Sequence, residues 1–272
     1  ETANSGKLTP SFDSSVSGDS FQDDRDDYDK YSQNADANTP RDEGTVRHDK
    51  TEELLLAARS NACAVLMHLA KDCASSSTLC ENQLLVSTLV EVSEEFQLPF
   101  HTKCIEILCN FSRFPANNSF LAANKELIET LIKCSSSKFN EDRLWAMRTL
   151  QNLTSDENSK VALATPSLLS ALSVSARSDE PEEQLAAVAA LVNLSGEPGT
   201  IVPFTNTKNV VSTLVHLAHS STSSPTVKAI SCDALAATGL WLQTLAGVGT
   251  VPEGMDKVLL PTQVATGWQR WD

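Results

Sequence analysis

From Thr51 onward, apolar residues recur at steps of three and four, with Ala, Ser, Glu and Lys filling the positions between them. That spacing marks one buried face of an α-helix. No glycine stands between Thr45 and Ser195. Glycine supplies the tight turns of hairpins, so a run this long without it argues against a β-rich fold. Thr51 can cap the first helix, with Glu52 and Glu53 favourably placed in its first turn. Polar breaks divide the chain beyond that helix. A short helix is predicted at 117–123 and again at 157–164, and a second apolar helix at 126–134 and 167–176. Charged loops at 137–142 and 177–183 then lead into a long helix.

The long helices share a motif. It reads Ala64-Val-Leu-Met-His68-Leu-Ala70, Glu106-Ile-Leu-Cys-Asn110-Phe-Ser112, Arg148-Thr-Leu-Gln-Asn152-Leu-Thr154 and Ala189-Ala-Leu-Val-Asn193-Leu-Ser195, with a degenerate copy at Asp233–Gly239. The aligned positions 68, 110, 152, 193 and 237 are separated by 42, 42, 41 and 44 residues. A period of about 40–47 residues belongs to HEAT and armadillo units. The Leu-x-Asn-Leu-Ser/Thr helix, preceded by a short and a longer helix, resembles the third helix of the armadillo repeat over about residues 51–246. HEAT-like repeats, with two helices and no such motif, are the alternative. The resemblance implies an all-α, right-handed α-solenoid. Helix trios fall near 74–112, 113–154, 155–196 and 197–246, after a lone helix at 51–71. One trio leaves apolar surface that only its neighbours cover, so the units stack.

Charge changes the picture at the N-terminus. Residues 1–50 hold 12 acidic and 6 basic residues and few apolar ones. Such a segment buries too little to offset its ordering entropy and is expected to be disordered. Phe12, Phe21, Tyr28 and Tyr31 interleave with its aspartates. Residues 247–272 are less polar than a tail. Trp268 and Trp271 are candidate anchors, either of an arm folded over the last trio or of a docking peptide.

The whole chain carries a net charge of −14. That field repels a nucleic-acid backbone and favours a protein or peptide partner of basic character. The apolar stretch 229–251 is interrupted by Asp233 and Gln243, so membrane insertion is not expected. Seven cysteines without a C-x-x-C read as small buried residues of a reducing, intracellular compartment, cytoplasm or nucleus.

Catalytic patterns are missing. No Walker loop, G-x-G-x-x-G or G-x-S-x-G occurs, and His216 and His219 share a helix face without a third ligand in register. The chain reads as a non-enzyme without cofactors. In armadillo proteins, asparagines of the third helix bind the backbone of an extended peptide. That resemblance implies a groove ladder of Asn110, Asn152 and Asn193. One turn earlier, Ala64, Glu106, Arg148, Ala189 and Asp233 form a second row, of which Glu106 and Arg148 carry charge suited to a partner. Family members that read basic signals have tryptophans in that row, and this chain has none. The expected function is a scaffold or adaptor, acting as a monomer or in a hetero-complex. The alternative is a structural subunit docking through its ends, its convex face or its C-terminal arm.

Overall fold

The computed structural model describes the backbone of residues 43–247 and the side-chain surroundings of residues 50–239. The rest of the acidic segment, with its four aromatic residues, lies outside the described residues. So does the arm after Gly247, with Trp268 and Trp271. The chain divides between Lys50 and Thr51 into two units. The second unit holds the helical repeats.

Helix α1 spans Glu43–Leu69. The first trio is α2 Cys73–Cys80, α3 Gln83–Glu94 and α4 His101–Ser112. The second is α5 Pro115–Ala123, α6 Lys125–Cys134 and α7 Asn140–Thr154. The third is α8 Lys160–Leu163, α9 Pro166–Ser175 and α10 Pro181–Ser195. In the fourth, a 3-10 turn at Pro198–Thr200 runs into α11 Ile201–Asn206, followed by α12 Val210–His219 and α13 Pro225–Gly247. No strand occurs among the described residues, and the fold is an all-α solenoid.

Several boundaries differ from the sequence reading: α5 starts at Pro115 rather than Asn117, and α7 and α10 start at Asn140 and Pro181, inside segments read as loops. Helix α1 starts at Glu43 rather than Thr51. The apolar periodicity opens at Thr51, but no proline interrupts residues 43–51, so helical backbone continues without an apolar face. Helix α8 is four residues long, not eight. Ser159 Oγ donates to Asp156 Oδ2, a local side-chain bond that competes with helix formation.

The second helix of each of the first three trios starts with the same device. Asn82, Asn124 and Thr165 accept, through a side-chain oxygen, the backbone N–H three residues on, at 3.1, 3.1 and 3.3 Å. Each cap satisfies one of the free donors of a helix start. Asn209, which precedes α12, makes no such bond and sits at φ 72.

The third helices bury the motif leucines. Leu108, Phe111, Leu150, Leu153, Leu191 and Leu194 are fully buried. The principal packing joins nearest neighbours: α4 on α7, α7 on α10 and α10 on α13, with α3 on α6, α6 on α9 and α9 on α12 beside them. Five of the seven cysteines are buried in this core, while Cys73 and Cys232 are exposed. Burial pushes the Cys80 and Cys109 thiols up to about 11 and Cys134 to about 12. Such thiols are packing groups rather than nucleophiles.

Candidate functional site

The three motif asparagines lie on consecutive third helices, α4, α7 and α10, and they differ in the partners of their amide nitrogens. Asn152 Nδ2 donates to Ser112 Oγ of the preceding unit at 3.0 Å. Asn193 Nδ2 donates to Gln151 O at 3.1 Å and to Thr154 Oγ1 at 3.3 Å. The orientation of both amides is forced. Ser112 and Thr154 spend their own hydrogens on Cys109 O and Gln151 O, so their oxygens can only accept. The motif Asn therefore staples its unit to the hydroxyl two residues past the previous motif Asn. For Asn110 the residue in that register is Ala70, which has no hydroxyl. Its Nδ2 is buried without a partner. At the other end Ala237 offers no amide to Ser195.

This arrangement assigns the amide hydrogens to the fold and leaves the amide oxygens. No described group donates to the Oδ1 of half-buried Asn152 or Asn193. A peptide N–H can donate to such an oxygen whatever its sequence.

One turn earlier, Ala64, Glu106, Arg148 and Ala189 are half-buried and Asp233 is exposed. Arg148 Nη2 reaches Glu182 Oε2 at 2.6 Å, and its guanidinium lies 5.1 Å from the centre of the Trp145 ring. Glu106 makes no hydrogen bond or ion pair among the described residues. Burial pushes its carboxyl above the usual value of 4.5, only partly offset by the positive charges of Lys71 and Lys103, while Glu141 adds to the rise. A half-buried carboxylate without a direct ion-pair partner is a place where a basic side chain gains.

A second set of inter-unit bonds escaped the sequence reading. Fully buried Asp142 accepts from Thr102 Oγ1 at 2.6 Å and Ser137 Oγ at 2.7 Å, and lies 3.0 Å from His101 Nε2. In the next unit, buried Glu183 accepts from Arg143 Nε at 3.0 Å and Ser178 Oγ at 2.8 Å. Each carboxylate opens a third helix, ties down the serine five residues before it and receives a donor from the unit before. The signal was legible: Ser137 and Asp142 recur 41 residues later as Ser178 and Glu183.

An open cleft of about 720 Å³ lies beside these junctions, lined by Ser175, Arg177, Asp179, Glu180 and Thr213 among others. It carries both signs of charge. His219 Nδ1 bonds Val215 O at 2.9 Å, and no group of three or more metal-binding side chains occurs among the described residues. No single described helix is long and apolar enough to cross a membrane.

No family model matches the chain, and no curated protein matches it. Solved structures do. An engineered protein is 20% identical, with a TM-score of 0.58, covering 76% of this chain and 85% of that one. A designed armadillo repeat protein in complex with the peptide (KR)4 is 18% identical, with a TM-score of 0.55, covering 72% and 88%. One of a set of computationally designed armadillo repeat proteins for modular peptide recognition is 20% identical, with a TM-score of 0.53, covering 68% and 76%. The fold is armadillo-like.

Proposed function

We propose that the protein is a non-catalytic interaction scaffold that holds an extended, basic segment of a partner along its third helices. The observation that carries this reading is the pair of open Oδ1 acceptors on Asn152 and Asn193, in register on successive units. Backbone N–H groups of the partner donate to them, and a lysine or arginine side chain pairs with Glu106. Arg148, neutralised by Glu182 and backed by Trp145, forms the neighbouring wall. The net charge of −14 draws a basic chain in. Free, mostly buried cysteines fit a reducing compartment, cytoplasm or nucleus.

A fluorescent (KR)4 peptide tests this by anisotropy titration. Asn152→Ala and Glu106→Gln are each expected to weaken binding about tenfold, the loss of one hydrogen bond to a charged or buried group. Glu129→Gln, an exposed change on α6, leaves binding unaltered and controls for net charge. Affinity unchanged in the Asn152→Ala, Glu106→Gln double variant overturns the reading. So does binding that is lost only when residues 258–272 are deleted.

A further inference from the structure

Helix α1 is lightly held. Among its described residues, 50–69, Cys63 is the one buried side chain. Leu54, Ala62, Val65 and Leu69 are exposed around it. Helix α4, which carries the same motif one unit on, buries nine residues. A helix with so few buried contacts opens locally at low cost, so α1 opens before the rest of the stack.

The buried residue of α1 meets a second sulfur. Cys63 Sγ lies 3.9 Å from Cys104 Sγ on α4. One turn earlier on α1, Ser60 Oγ accepts from Lys103 Nζ at 3.2 Å, so the two helices are held in register at this point. The thiol pair is not a general feature of the repeat. In the same register at the next two junctions stand Ile105 with Ala146 and Met147 with Ala187, all fully buried. Packing there is met without a pair of thiols.

We infer that Cys63 and Cys104 are an oxidisable pair whose disulfide fastens α1 to α4. The oxidant is a low-molecular-weight disulfide of the glutathione class. Cys63 gives its proton to water, and its thiolate attacks one sulfur of the reagent. The reagent S–S bond breaks and one thiolate leaves. Cys104 then gives its proton to water and attacks the Cys63 sulfur, displacing the second reagent thiolate. The two protein thiols lose two electrons in all, and one reagent disulfide is reduced to two thiols. Cys63 acts first because it sits on the helix that opens. Burial holds the Cys104 thiol above its ordinary value, and the neighbouring Cys63 adds to the rise, so Cys104 is the resolving thiol.

A disulfide bond is about 2.05 Å long, so the sulfurs must close by about 1.9 Å. Helix α4 is fixed by its own buried face, and α1 supplies the movement. The bond turns α1 from a helix that opens alone into one that opens only with α4. In a reducing compartment such a bond is transient, in the manner of redox-sensing disulfides. The inference does not rest on the groove reading, since neither sulfur belongs to the asparagine row or to the row one turn before it.

The test uses the full chain with the exposed Cys73 and Cys232 replaced by serine, and oxidised glutathione as the probe. Oxidation is expected to remove two hydrogens from the intact mass and to join the peptides that hold Cys63 and Cys104. Tryptic cleavage of the folded protein after exposed Arg59 is expected to slow by about tenfold or more, and dithiothreitol restores it. Cys104→Ala places at this junction the residue that the next two carry, and unchanged helical circular dichroism checks its fold. This variant stops at the glutathione adduct of Cys63, and its cleavage after Arg59 is not slowed. A chain that stays fully reduced, a disulfide between other cysteines, or an unchanged cleavage rate in the oxidised protein overturns the inference. So does slowing of equal size in Cys104→Ala, which assigns the effect to the adduct alone.

Discussion

Asn152 and Asn193 each find a hydroxyl oxygen on the unit before them, while the residue in that register for Asn110 is Ala70, which has none. Ala70→Ser supplies the missing acceptor in a buried place. The expected gain is about 1 kcal/mol, the usual net worth of one hydrogen bond with an unsatisfied donor removed. It is read as a higher urea midpoint at unchanged slope. No gain would mean that Asn110 is already satisfied. Glu106 is the opposite case, a carboxylate whose folded value is raised by burial. A raised acid favours the folded state while it is protonated, and that contribution is lost as pH rises through the folded value. Glu106→Gln should therefore raise the melting temperature at pH 7, with the gain shrinking as pH falls through the raised folded value towards 4.5 and absent below it. A gain that persists at low pH would place its cause elsewhere.

At the level of elements, the third helices are positioned by their first turns as much as by their leucines. Asp142→Ala leaves Thr102, Ser137 and His101 without their shared partner in a buried junction. The expected cost is about 3 kcal/mol, in the range for breaking a buried pair from one side. That rivals the ~2–5 kcal/mol of a core truncation such as Leu153→Ala. Chemical denaturation of the two variants compares them directly; a cost near zero for Asp142→Ala would make the junction decorative. Helix α8 shows the converse, where one Ser–Asp bond trims a helix that composition alone would extend. The sequence reading found the trios and their order because apolar spacing reports burial. It overran α8 because a side-chain bond to a neighbouring residue leaves no periodic trace.

Across the described repeats, packing runs from each trio to the next. Stability is then close to a sum of units and of the interfaces between them. Excising residues 113–154 joins Ser112 to Ser155 and removes one complete unit. Asn193 then meets Ser112 Oγ where it had met Thr154 Oγ1, and Glu183 meets Thr102 where it had met Arg143. The shortened chain is expected to fold with unchanged helicity per residue and a lower but still cooperative melting transition. Collapse of the helical signal would refute nearest-neighbour packing.

The 42-residue spacing, the order of the helices and the Asn row were all legible in the sequence, because a repeated structural need writes itself at a repeated position. The same holds for the serine–carboxylate junctions, whose period could have been counted. What the chain could not reveal was which atoms remain open. Whether an amide oxygen faces a donor or a carboxylate lacks an ion-pair partner depends on groups some 40 residues away in sequence. Those meet only when one unit is laid upon the next, and that stacking turned Asn152 and Asn193 from ambiguous polar residues into inter-unit staples with a free acceptor each.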